Sequence, residues 1–219
     1  MERGIFITFE GGDGCGKSTQ IKLFADYLKK QGYKVHSTKE PGGDVIGNKL
    51  REIVKNPEYE GKISNRTELL IFLTARSSFV ENEVIPYIDK KYIVISDRYI
   101  DSTTAYQGYG NKNDHKVIEL FNKEASQGIM PDLTFLIDID AERGLEKLNT
   151  TEFGKRDRIE AKGLEYHKRV NEGYRKIARE NPGRIKVIRY REGDIRGMQE
   201  EIRRYFEDKF INAKKFPLI

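Results

Sequence analysis

Eight consecutive residues, Gly11-Gly12-Asp13-Gly14-Cys15-Gly16-Lys17-Ser18, combine glycines, a lysine and a hydroxyl in the order of a phosphate-binding loop. Glycines let a backbone curl so that successive N–H groups point inward at an anion, and a helix starting just after adds positive potential. In that pattern Lys17 reaches the outer phosphate oxygens of ATP and Ser18 holds Mg²⁺, so Gly11 to Thr19 is the expected ATP-binding segment. A dinucleotide loop fits less well, because a proper Gly-x-Gly-x-x-Gly is missing and Lys17 has no place in it. A second group, Asp97-Arg98-Tyr99, follows an apolar run. A carboxylate at a strand end beside such a loop can hold the metal's water shell, and the planar Arg98 fork can bridge two phosphates. The plain alternative is a surface Asp–Arg pair. A third group lies in the irregular stretch 149–158, which carries a glycine and the cations Lys155, Arg156 and Arg158. That is the composition of a mobile lid, or of a solvated basic loop.

These residues need elements to hold them. Gly4 to Glu10, Tyr33 to Lys39, Tyr92 to Ser96, Leu133 to Asp138 and Ile185 to Arg189 are short runs rich in β-branched residues and read as strands. Helical patterns fill Lys17 to Gln31, Glu68 to Lys90 with a bend or end near Pro86, and Lys116 to Gln127. Further helices start at Ala141, run from about Ala161 to Glu180, and close the chain from about Ile195 to Lys209. Strands alternating with helices imply an α/β fold, a five-stranded mostly parallel sheet covered on both faces. No repeat or Pro/Gly-rich linker divides it, so residues 1–219 read as one domain with its lid at about 149–158.

Bulk properties narrow the setting. The single cysteine, Cys15, excludes an intrachain disulfide and suits a reducing compartment. The apolar run Ile5 to Phe9 is too short for a signal segment or a membrane span, and the expectation is a cytoplasmic protein without a membrane partner. A net charge of +5 suits an anionic partner, either a nucleotide or a nucleic acid. A P-loop module acting on nucleic acid is the rival reading from another class. Against it, the basic residues are scattered among 35 acids with no aromatic–basic stripe. No Asn-Lys-x-Asp run marks a GTPase switch, and His36, His115 and His167 lack metal-ligand spacing.

Several segments together resemble thymidylate kinase: Phe9-Glu10-Gly11-Gly12-Asp13, Glu40-Pro41-Gly42-Gly43, Phe72-Leu73-Thr74-Ala75-Arg76, the stretch from Asp97 to Gln107, and Asp157-Arg158-Ile159-Glu160. The resemblance implies a P-loop nucleoside-monophosphate-kinase-like fold that transfers the γ-phosphate of ATP, with Mg²⁺, to dTMP. It implies that Phe72 stacks on thymine, Arg76 hydrogen-bonds a base carbonyl, and Ser102, Thr103 and Gln107 add polar contacts. Tyr106 would stand against the sugar 2′ position and Asp13 would take the 3′-hydroxyl, with a second role near the metal. Arg51 and Arg98 would hold the acceptor phosphate, with Glu40 orienting its neighbours. The phosphate loop carries no cation at its variable positions, so the arrangement resembles the bacterial type, with a catalytic cation from the lid. The residues do not single out which of Lys155, Arg156 and Arg158 acts; the reading leans to Arg156. The resemblance also implies a homodimer. Another nucleotide or nucleoside kinase is the rival enzyme; a deoxynucleoside kinase would use a carboxylate base, for which Glu10 is available, but the phosphate-binding arginines favour a monophosphate acceptor.

Overall fold

Alternation within β1 (Ile5–Glu10) sorts its side chains onto two faces of a sheet. Ile5, Ile7 and Phe9 join one core and Phe6 another, while Thr8 hydrogen-bonds Thr134 at 2.7 Å. The structure, a computed structural model, describes residues 3–149 and 156–212. The remaining strands are β2 (Val35–Lys39), β3 (Ile93–Asp97), β4 (Leu133–Asp138) and β5 (Ile185–Arg189). They form one parallel sheet in the order β2-β3-β1-β4-β5. The chain moves outward from β1 to β2, returns to β3, then crosses β1 to reach β4. That reversal opens a crevice at the carboxyl ends of β1 and β3, the place where open α/β sheets bind ligands. Phe9 pairs with Asp97 there, so the loops after both strands start side by side.

Helices α1 (Lys17–Lys30) and α9 (Ile195–Phe210) cover one face. Phe24 of α1 meets Phe9, Phe135 and Phe206 at ring-centroid distances of 5.9, 5.8 and 5.5 Å. The other face holds Phe6, Val94 and Tyr99 against Phe79 and Val80. Next to it, Leu136 and Ile185 pack against α8 (Leu164–Glu180). Burying aromatic and aliphatic side chains on both faces stabilises the sheet by roughly 1.5–3 kcal/mol per large side chain.

The expected helix over Glu68 to Lys90 is three pieces: α3 (Asn65–Phe79), a π turn (Val80–Val84) and α4 (Ile85–Asp89). Pro86 lacks an N–H and its ring blocks a regular turn, and the chain widens just before it. Helix α2 (Val45–Lys55) has no counterpart in the sequence reading. Its apolar residues Ile46, Leu50, Ile53 and Val54 do recur at helical spacing, a signal the sequence reading left unused, and Asp44 starts the helix by capping the Ile46 and Gly47 N–H groups. After β3 come α5 (Ile100–Thr103) and a second π segment (Thr104–Gly110), then α6 (His115–Ala125); α7 (Ala141–Asn149) follows β4. Of the stretch 149–158, residues 150–155, including Lys155, lie outside the described residues. Among the described residues no helix is long and apolar enough to cross a membrane.

Candidate active site

The glycine loop between β1 and α1 adopts a conformation that side chains would prevent. Gly14 has φ +74°, and a Cβ there would stand 2.3 Å from the Gly144 carbonyl of α7; Gly11 has φ +140°, with Ile137 O at 2.4 Å from any Cβ. The start of α1 has no side-chain cap and no acidic residue in its first turn. Its free N–H groups and dipole therefore face the cleft, a site suited to phosphate oxygens. The Lys17 ammonium reaches back to the Gly11 and Gly12 carbonyls, both at 3.0 Å. Ser18 Oγ lies 3.4 Å from Asp97 Oδ2, while Asp97 Oδ1 is buried without a hydrogen-bond partner. A hydroxyl and a half-satisfied carboxylate side by side fit hydrated Mg²⁺, which keeps several waters and takes only one or two protein ligands besides substrate phosphates. Among the described residues no cluster of three or more His, Cys, Asp or Glu side chains forms a cage of its own.

Arg98 is the hub of the site. Its backbone has φ +74°, a strained value for a side chain of this size. The strain is held by hydrogen bonds from Arg98 N to Phe9 O (2.9 Å) and from Tyr99 N to Glu10 Oε1 (2.8 Å). One end of the guanidinium, Nη2, donates to Asp13 Oδ1 (2.6 Å) and Tyr106 OH (3.0 Å). The other, Nη1, donates to Gly11 O, Ser102 Oγ and Tyr174 OH at 3.0–3.2 Å. Tyr106 OH in turn donates to Asp13 Oδ2 at 2.8 Å. Burial by itself would raise the Asp13 carboxyl, but Arg98 and Lys17 beside it bring it down to about 2. Asp13 is therefore a fixed anion, and Arg98 is held charged well above its ordinary range by Tyr106 and Asp13 despite its burial.

Two cavities meet at this hub. One is lined by Gly14 to Thr19 and Asp97; the other by Phe72, Arg76, Ser102, Thr103, Tyr106 and Gln107. Asp13, Glu40, Arg51, Lys55, Arg98 and Glu160 line both. Arg51 hydrogen-bonds Pro41 O at 2.9 Å, and burial together with the like charge of Arg98 lowers its pKa. Two guanidiniums at one junction repel until an anion lies between them, which is what an acceptor or transferring phosphate provides. Arg76 is 1% exposed, with Nη2 donating to Glu40 Oε2 (2.9 Å) and Thr103 Oγ1 (2.8 Å) and Nη1 to Asn122 Oδ1 (2.5 Å). Its charge is thus neutralised by Glu40, which burial pushes up in pKa even against that partner. Gln107 spends its amide on Glu68 (3.1 Å).

Of the three cations expected on a lid, the two described ones, Arg156 and Arg158, do not stay together. Arg158 is 3% exposed and donates to Glu68 Oε2 (2.6 Å) and Val54 O (2.8 Å), so it points into the body and not at the phosphate loop. The cause is Glu68, a carboxylate buried to 1% exposure that needs cations; Lys162 supplies the second, at 2.9 Å. Arg156 is half-buried and donates to Asn149 Oδ1 at 2.6 Å. Residues given no role by the sequence reading also line the junction: Lys55, paired with Asp157 at 2.5 Å, and Glu160. Asp157 and Glu160 do belong to the quoted Asp157–Glu160 segment, so the signal was there. Lys55 sits on the unforeseen α2. Lys39, at the carboxyl end of β2, lines the loop-side cavity and was detectable by that position alone.

Residues 9–202 match the sequence model of the thymidylate kinase family. A thymidylate kinase from Sulfurihydrogenibium sp. is 46% identical over 84% of this chain and 88% of its own length. One from Carboxydothermus hydrogenoformans is 43% identical over 91% and 93%. The crystal structure of thymidylate kinase from Ehrlichia chaffeensis, 34% identical, superposes with a TM-score of 0.75 over 93% of this chain and 98% of that one.

Proposed function

The chain belongs to the thymidylate kinase family, and from that premise we propose how its cleft transfers the γ-phosphate of ATP to dTMP, giving dTDP and ADP. The observation that carries the proposal is the junction of the two cavities, where Asp13, Arg51 and Arg98 face both. ATP lies on Gly11 to Thr19, its phosphates on the loop N–H groups and the start of α1. Lys17 exchanges the two carbonyls it now holds for β- and γ-oxygens. Ser18 and Asp97 would hold Mg²⁺, which supplies neutralising charge on the donor phosphates.

The thymine ring takes the second cavity, flat against Phe72, with Arg76 and Thr103 at its polar edge and Ser102 and Gln107 near by. Asp13, an anion at neutral pH, accepts from the sugar 3′-hydroxyl, and the Tyr106 ring fills the space a 2′-hydroxyl would need. Arg51 and Arg98 hold the dTMP phosphate with one oxygen in line with the γ-phosphorus. That phosphate is already largely ionised near pH 7, so no general base is needed. Catalysis is then positioning plus charge stabilisation of the transferring group. Arg156 is the described cation of the 149–158 stretch free to reach that group after leaving Asn149. Lys155 offers the same charge, and Arg158 acts as the anchor of this stretch. A homodimer is supported by apolar side chains exposed on α3 and α6, Leu70 at 48%, Leu120 at 58% and Phe121 at 40%.

The test is incubation with Mg·ATP and each nucleoside monophosphate in turn, reading ADP and diphosphate product. Selective dTDP formation is expected. Faster turnover of another monophosphate overturns the roles given to Phe72, Arg76 and Tyr106. ATP binding without phosphorylation of any acceptor overturns the junction.

A further inference from the structure

Glu10, the last residue of β1, is a buried carboxylate that no step above uses. It is 1% exposed and lines neither cavity, so it cannot touch a substrate as a base would. Its Oε2 accepts from Ser102 Oγ (2.6 Å) and from Tyr174 OH (2.9 Å), and these two hydroxyls lie 2.7 Å from each other. The same two hydroxyls are the acceptors for Arg98 Nη1, at 3.2 and 3.0 Å.

A hydroxyl has one proton and can turn it either way. Once its carboxyl is ionised, which burial and Asp101 delay to about pH 7, Glu10 draws the Ser102 and Tyr174 protons toward itself and leaves their lone pairs to Arg98. Without it, either hydroxyl is free to aim its proton at the guanidinium, where donor meets donor and the contact fails. Arg98 would then keep Asp13 and Tyr106 at Nη2 but hold only Gly11 O at Nη1, losing two of its three acceptors there, and the fork would be free to tilt. Glu10 also fixes the backbone at the strained position, through Tyr99 N on Oε1. The other charged groups around it are Asp101, which repels it, and Arg184, which is already bound at 2.7 and 2.8 Å by Asp101; neither touches Arg98 by a hydrogen bond.

We propose that Glu10 is a positioning residue for phosphoryl transfer: through the hydroxyls of Ser102 and Tyr174 it aims the Arg98 guanidinium at the junction of the two cavities. The proposal rests on the reading of Arg98 as the cation that bridges the phosphates.

The test is a kinetic double-mutant cycle with Glu10→Gln and Arg98→Lys, run above pH 7 where Glu10 is ionised, measuring kcat, both KM values and the melting temperature of each protein. Lysine has no fork to aim, so an effect routed through Arg98 vanishes in its presence. Glu10→Gln is expected to lower kcat at least tenfold in the wild-type background with KM for ATP within twofold, and to change kcat less than twofold in the Arg98→Lys background. Equal fold-losses in the two backgrounds, or unchanged kcat in the first, overturn the proposal while leaving the kinase reading intact. Full activity of Arg98→Lys alone overturns the role of Arg98 and this proposal with it. A wild-type protein that makes no dTDP overturns the kinase reading itself. If Glu10→Gln does not fold, Tyr174→Phe takes its place in the cycle, with loss expected only where Arg98 is present and additivity again overturning the proposal.

Discussion

Replacing Glu68 with alanine should both destabilise the protein and loosen its acceptor site. The Glu68 carboxylate accepts from Arg158 (2.6 Å), Lys162 (2.9 and 3.2 Å), Asn111 (2.7 Å) and Gln107 (3.1 Å). Burial would raise its pKa, yet Lys162 and its other donors outweigh burial and lower it. One anion thus serves two cations, and removing it leaves Arg158 buried without a counter-charge and Lys162 half-buried without one. Breaking one side of a buried ion pair costs about 3–5 kcal/mol. With an unfolding entropy of about 2 cal/mol/K per residue, a chain of this length loses about 9 °C of melting temperature for 4 kcal/mol.

The functional consequence follows from position. Arg158 and Lys162 flank Ile159 and Glu160, which line the acceptor cavity with Asp157. Releasing that segment should raise KM for dTMP about tenfold while KM for ATP, bound at the glycine loop, stays within twofold. Differential scanning fluorimetry and initial rates at varied dTMP and ATP read both effects. A melting temperature within about 2 °C of wild type would refute the buried-charge reasoning, and an equal rise in both KM values would refute the link to the acceptor side. Arg158→Met separates anchor from catalytic cation: the anchor loses stability with a modest change in kcat. A hundredfold fall in kcat at unchanged melting temperature would restore Arg158 as the transferring cation.

Lys17→Ala removes a side chain whose polar contacts include two loop carbonyls, Gly11 and Gly12; kcat should fall by about 10²–10³ with the melting temperature nearly unchanged, since electrostatic stabilisation of the transferring group is lost. Glu10, pushed up to about 7 by burial and by Asp101, keeps a proton that the unfolded chain releases near pH 4.5. Stability should therefore fall as pH rises from about 4.5 through 7, and Glu10→Gln should flatten that slope in urea titrations. Asp13 has the opposite sign: with its pKa brought from 3.8 to about 2, it stabilises above pH 4 by about 2 kcal/mol, lost as pH falls toward 2 and absent in Asp13→Asn. Tyr106→Ala should open space beside the sugar and narrow the preference for dTMP over its ribonucleotide counterpart, read as the ratio of kcat/KM values; an unchanged ratio would remove Tyr106 from that role.

The glycine loop, its lysine and hydroxyl, the Asp97-Arg98 pair and five parallel strands were all legible along the chain. In each case the physics is local. Short β-branched apolar runs favour strands wherever they occur, and a phosphate loop must be contiguous because adjacent N–H groups do the binding. The approach of Ser18 to Asp97, 79 residues apart, came only with the pairing of β1 and β3. Tertiary structure alone decided where charge is spent. Arg156 and Arg158 stand two apart in the same basic stretch, yet one is half-buried on Asn149 and the other is buried on Glu68, 90 residues earlier. Glu10 meets Tyr174 across 164 residues, and Lys55 lines the cleft beside its partner Asp157. Residue type fixes the charge a side chain can carry. Which partners share its low-dielectric surroundings fixes whether that charge holds the fold or faces a phosphate, and those partners come together only when the chain has folded.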